Sequence, residues 1–160
     1  MKNNIAFILA GLLIGLIIAT VSVIYLTPHV LLKETKSKFT FETTIEKFEK
    51  AVTEGGWKIP AKHNLRETLL KSGKSDVNNV LVFEICNPDL AEKILLSEDE
   101  KLVSSFLPCR VAFYEKNDGN VYFSRMNSGL LARVIGKVTR LQMKLAFDET
   151  EEFLKTLSIN

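Results

Sequence analysis

Three sulfur-bearing side chains and one polar group are the residues of this sequence whose chemistry reaches beyond packing. Cys86 closes the apolar run Val80–Cys86 (VLVFEIC), Cys109 sits at the head of a second run that reaches Lys116, and Met126 ends a third. Between the last two lies Asn117-Asp118-Gly119-Asn120, a hairpin signal. With Asp118-Gly119 as a two-residue loop, Asn117 pairs with Asn120, Glu115 with Tyr122, Phe113 with Ser124, Val111 with Met126 and Cys109 with Ser128. Side chains alternate across a strand, so Cys109 and Met126 then share a face as diagonal neighbours, about 7–8 Å apart at the backbone. Cys86 ends its own strand at a comparable level, and the three sulfurs gather at one end of a sheet. Soft thiolate and thioether ligands select Cu(I) or haem iron over hard cations. The plainer readings of Cys86 and Cys109 come first: a structural disulfide in an exported domain, or an inert place in the core. Reversible redox pairing stands between the two.

Glu84, Arg110, Arg125 and Asn127 form the polar candidate. In the same register Arg110 faces Asn127 and Ala112 faces Arg125, which puts both arginines on the face away from Cys109. Adjacent arginines need an anion, either a carboxylate such as Glu84 or a bound ligand. An internal Arg–Glu pair is the commoner solution. With only His29 and His63 present, a histidine-rich metal site is excluded. His63 reads as a solvated loop residue and Trp57 as a core anchor. Neither a Ser/His/Asp nor a Cys/His triad assembles, and no glycine-rich phosphate loop follows a strand. No catalytic residue, enzymatic activity or cofactor is therefore expected.

The elements that must position these residues follow from periodicity and punctuation. Phe39-Thr40-Phe41 alternates like a short strand, and Thr43 or Thr44 caps a helix to Glu54 with Ile45, Phe48, Ala51 and Val52 on one stripe. Gly55-Gly56 stops it, a short strand leaves at Trp57–Ile59, and Asn64 caps a second helix over Leu65–Lys71. The strand Val80–Cys86 ends at Asn87-Pro88, where Pro88 suits the first turn of a third helix through Leu96. Strands follow over residues 110–116 and 121–126, then one long amphipathic helix from Ser128 to about Leu157. Strands and helices in this order predict an α+β fold, a mostly antiparallel sheet covered by a long C-terminal helix. The α+β domain is read over residues 39–158.

Ahead of it, Ile5 to Leu26 carries no charged residue and is apolar on every face. That length crosses a hydrocarbon core of about 30 Å, so residues 5–26 read as one transmembrane helix, with residues 1–4 a tail and 27–38 a polar linker. No A-x-A site follows a short apolar core, which favours retention over cleavage. Lys33, Lys36 and Lys38 after the span outnumber Lys2 before it, and the positive-inside rule alone would keep the domain in the cytoplasm. A short tail with one lysine before an apolar helix is instead the form of a signal anchor, and the exported side (periplasmic or extracellular) is expected. The net charge of +2 gives no support to a nucleic-acid partner.

Taken together, Gly55-Gly56-Trp57-Lys58-Ile59, Glu84-Ile85-Cys86-Asn87-Pro88, Leu107-Pro108-Cys109-Arg110-Val111, Tyr114-Glu115, Asp118-Gly119 and Ser124-Arg125-Met126-Asn127 resemble the domain-of-unknown-function family numbered 302. The chain looks most like a membrane-anchored branch with two cysteines. The resemblance implies an α+β fold of TATA-binding-protein-like type, often dimeric, and brings no established activity and no residue roles. A membrane-tethered, non-enzymatic binding or accessory domain is the function expected, alone, as a homodimer or as a small subunit of a membrane complex. Gly11 and Gly15 form a GxxxG in the anchor that permits close helix packing. The alternatives are a thiol redox or sulfur-handling protein using Cys86 and Cys109, and soft-metal or haem binding through Cys86, Cys109 and Met126.

Overall fold

The computed structural model describes residues 2–132 and 135–159. Helix α1 (Lys2–Leu31) is followed without a break by strand β1 (Leu32–Lys36), so the stretch read as a linker is helix and strand instead. The first-turn lysine already lies in α1, and Met1 is outside the described residues. β1 escaped the sequence reading because LKETK carries no apolar alternation. It is an edge strand with one neighbour, β5 (Val121–Met126), and needs little burial to hold its place.

Phe39-Thr40-Phe41 is not a strand. Thr40 is the N-cap of α2 (Phe41–Glu54), its hydroxyl accepting the Thr43 N–H at 3.4 Å, and capping outweighs a three-residue alternation. Thr44, Phe48 and Val52 form the buried stripe of α2. Strand β2 (Lys58–Asn64), helix α3 (Leu65–Lys71), strand β3 (Val80–Cys86) and helix α4 (Pro88–Leu95) follow. Asn64 caps α3 and Pro88 stands in the first turn of α4, both as expected, and Asn87 is the N-cap of α4. A 3-10 segment, Glu98–Phe106, then leads into strand β4 (Cys109–Glu115) and β5.

The single C-terminal helix expected from Ser128 is two, α5 (Ser128–Leu131) and α6 (Lys137–Lys155), and residues 133 and 134 of the expected span lie outside the described residues. What starts α6 afresh is the Glu100 carboxylate, which accepts the Thr139 N–H at 2.6 Å and the Val138 N–H at 3.3 Å. An anion at a helix N-terminus meets orphan donors and the positive end of the dipole. A Cβ on Gly136 would sit 2.0 Å from that carboxylate and would displace it.

The sheet is antiparallel throughout, in the order β1-β5-β4-β3-β2. Helices α2 and α6 cover the face on which Phe83, Ile85, Val111, Phe113 and Phe123 are buried. Phe48 of α2 packs on Phe113 at 4.7 Å and on Phe83 at 5.3 Å between ring centroids, the aromatic centre of the core. A second cluster, Ile94, Val103, Ala132 and Met143, ties α4, the 3-10 segment and α6 together.

Candidate functional site

The β4–β5 hairpin decides which candidate residues meet. The Lys116 N–H donates to the Asn120 carbonyl, and the Gly119 N–H donates back to the Lys116 carbonyl, both at 3.0 Å. The loop is therefore three residues, Asn117-Asp118-Gly119, closed by Gly119 at φ +74° rather than the two-residue form. The Asp118 carboxylate accepts the Asn120 N–H and the Tyr122 hydroxyl, each at 2.9 Å. Those bonds, Asn120 first, hold its carboxyl at about 2.

One added loop residue shifts every pair by one. Glu115 meets Val121, Phe113 meets Phe123 and Val111 meets Arg125. A shift of one moves every β5 side chain to the other face, which overturns both expected groupings. Arg125 now shares the helix-covered face with Cys109, and Met126 shares the opposite face with Arg110.

Each arginine has its own carboxylate. Arg125, with a side chain only 9% exposed, grips Glu151 of α6 through Nε at 2.7 Å and Nη2 at 2.6 Å, and its Nη1 donates to Thr35 Oγ1 at 2.7 Å. Arg110 donates through Nη2 to Glu84 Oε1 at 2.9 Å, and His63 Nε2 lies 3.3 Å from the same oxygen. Arg110 first, then His63, hold the Glu84 carboxyl below its ordinary range against the pull of burial. His63 thus belongs to β2, opposite Val82, and not to a loop. Asn127 serves architecture: its Oδ1 accepts the Leu130 N–H, while its N–H donates to the Leu31 carbonyl at 2.7 Å and its Nδ2 to the Val30 carbonyl at 3.3 Å.

Cys86 and Cys109 are free thiols. They border, with Trp57, Leu90 and Gln142, a void of about 20 Å³. Trp57 is the expected core anchor, 3% exposed, its indole N–H donating to Glu149 Oε2 at 2.7 Å. Burial raises the Cys86 thiol, and burial followed by the proximity of Cys86 pushes Cys109 up to about 11. Thiols so shifted are protonated at neutral pH and are poor nucleophiles and poor metal ligands. Among the described residues no three His, Cys, Asp or Glu side chains are grouped to hold a metal ion.

The larger opening lies where β4 and β5 part. Their ladder reaches Val111 and Arg125, and beyond it Met126 pairs across to Leu32 of β1. In the gap is a cavity of about 340 Å³, within the range of small-molecule sites. Val82, Ala112 and Ser124 line it from the sheet, Phe106 from the 3-10 segment, and Met143 and Phe147 from α6. Cys109 and Met126 reach it from opposite faces, and Arg110 and Arg125 complete it. Arg110 stands at the mouth with its side chain 67% exposed. The sequence reading missed Phe106, Met143, Phe147 and Glu151. The spacing of Met143, Phe147 and Thr150 along α6 is a legible helix face, but nothing in it says that the face borders a gap between strands.

Fold and site define an α+β domain with a cavity of small-molecule size, preceded by one helix long and apolar enough to cross a membrane, Gly11–Leu31. The chain belongs to the family described as Domain of unknown function DUF302, whose signature covers residues 33–157. The match takes in β1, ahead of the boundary at Phe39 read from the sequence. The chain is similar to the uncharacterized conserved protein DUF302 from Bacillus stearothermophilus, whose crystal structure it matches at a TM-score of 0.72 and 19% identity over 80% of this chain and 98% of that one. That likeness shows a shared fold. No curated protein matches the chain.

Proposed function

We propose that the chain is a membrane-tethered, non-enzymatic binding domain whose ligand site is the cavity between β4 and β5. The observation that carries this is the cavity itself: about 340 Å³, mostly apolar, with Arg110 at its mouth. The cysteine that borders it is held protonated, the reverse of what thiol catalysis needs. Apolar walls with a few placed polar groups are the ordinary make-up of a small-molecule site. Helix α1 is the anchor, and the domain stands on the exported side. Impermeant maleimide should label Leu96→Cys, whose native side chain is 74% exposed, in intact cells, and labelling that needs permeabilised cells would reverse the orientation.

The test of the site uses the full chain in lipid nanodiscs and ligand-observed NMR with a library of water-soluble aromatic and aliphatic fragments. Fragments should bind the wild type and be lost from Ala112→Phe, which fills the cavity from β4. Binding that survives the filled variant, or no binding to either, removes the cavity as the site.

A further inference from the structure

The cavity opens at the end of the domain from which α1 leaves. Leu32, part of the cavity wall, is the residue immediately after the last residue of α1, and it is 57% exposed. Asn127 fixes that junction by bonding the Val30 and Leu31 carbonyls. Leu130 of α5 lies along the same helix, and with Val23, Leu26 and Val30 it lines an apolar groove. Apolar side chains thus line the flank of α1 on one side of the junction and, through Leu32 and Met126, the cavity on the other. With α1 as the anchor, this end of the cavity is the one turned toward the bilayer.

The charge around the cavity selects a head group. Arg110, Arg125 and Lys33 face two carboxylates, Glu84 and Glu151. Arg125 is committed to Glu151 along its Nε–Nη2 edge and to Thr35 through Nη1, whereas Arg110 gives only Nη2 to Glu84 and presents the rest of its fork at the mouth. Arginine forks of this kind pair planar anions. The walls deeper in, Val82, Ala112, Met143 and Phe147, offer an alkyl chain nothing but dispersion contact. The volume stands at the low end for a ligand site, fitting one chain rather than two.

From this we infer that the ligand is a single-chain anionic amphiphile of the fatty-acid type, drawn from the bilayer leaflet next to the domain, with its chain in the cavity and its carboxylate on Arg110. The inference rests on the cavity being the ligand site and on α1 being the anchor. It is tested on the full chain in phospholipid vesicles with two photoreactive probes, a palmitic acid carrying a diazirine near the chain end and a phosphatidylcholine carrying the same group, the adducts being mapped by mass spectrometry. The fatty acid should label the Phe106–Ala112 stretch and the neighbourhood of Met143, while the phosphatidylcholine should label α1 alone. Ala112→Phe should abolish the cavity adducts and leave those on α1 unchanged. Ser124→Phe, which fills the same space from β5, should do likewise and covers a folding defect in either variant. Arg110→Gln should lower cavity labelling about tenfold, the worth of a charge-assisted hydrogen bond. Fatty acid confined to α1, or cavity labelling equal for the two probes, overturns the inference. If water-soluble fragments still occupy the cavity in that case, the ligand class is wrong and the site stands; if they do not, both readings fall.

Discussion

The buried thiol of Cys109 shows how much of this domain turns on single residues. Its position was readable as core or site, but its protonation was not, since that depends on what Ile85, Met143 and Pro108 do around it in space. Burial pushes it to about 11 from an ordinary 9.0. The folded state therefore holds this proton more tightly than the unfolded chain does, and the stabilisation is complete below pH 9 and lost as the pH climbs to about 11. The loss is on the order of 2 kcal/mol. Tyr114, pushed up to about 12 by burial and by its bond to Glu34, adds a loss of the same sign at higher pH. Urea unfolding followed by the fluorescence of Trp57 should give a midpoint that falls between pH 8 and pH 10.5 in the wild type and much less in Cys109→Ala. Parallel decline in both proteins would mean that Cys109 is not the group responsible. The arginines teach a related lesson. That each would find a carboxylate was expected from elementary electrostatics, and Glu84 was nameable for Arg110. Glu151 was not nameable for Arg125, because the two-residue turn put Arg125 on the face away from Cys109, whereas it lies on the face that α6 covers.

At the scale of elements, most boundaries were legible where a cap or a proline stood. Asn64, Asn87 and Pro88 each mark a helix start with side-chain chemistry that has few other uses. The hairpin was legible as a hairpin and misread by one residue. Asp-Gly suits a two-residue turn, yet the Asp118 carboxylate bonds forward to Asn120 and Tyr122, and those bonds stabilise the three-residue form with Gly119 as its left-handed closing residue. Because a strand has a period of two, the error propagated to the end of β5 and misplaced Met126 and Arg125 together. The turn itself makes the prediction. No heavy atom lies within 4 Å of a Cβ built on Gly119, so Gly119→Ala tests backbone conformation free of any clash. It should cost about 1–2 kcal/mol, the price of a left-handed L-residue, and Gly119→Asn should cost less, since asparagine tolerates that region. Equal stability of all three proteins in urea would show that the loop does not depend on the left-handed form.

For the molecule as a whole, helix α1 and the domain are one continuous object. A 30-residue helix is about 45 Å long, the thickness of a bilayer with its head groups. With β1 starting at the next residue, no slack separates the sheet from α1, and α5 is brought alongside the last turns of that helix. The sequence suggested a tether here because the charged residues Lys33, Glu34 and Lys36 look like solvated chain. In the fold Lys33 reaches Glu151 and lies over the Phe147 ring at 4.6 Å, and Glu34 accepts from Tyr114 and from Lys116. A long loose tether would let the domain drift about α1, whereas this junction holds it against the end of the helix, and with α1 as the proposed anchor it would set the domain's height above the bilayer. Nitroxide labels read that height directly. In the full chain reconstituted into vesicles, a label on Leu130→Cys should be relaxed strongly by oxygen and weakly by a water-soluble nickel chelate, as at head-group depth, and a label on Leu96→Cys should show the reverse. Inserting Gly-Ser-Gly-Ser between Leu31 and Leu32 should lift the Leu130 label into water by freeing Asn127 from the end of α1. A Leu130 label as water-exposed in the parent chain as the Leu96 label would mean that the domain stands clear of the bilayer, and the proposed route from the leaflet to the cavity would be broken.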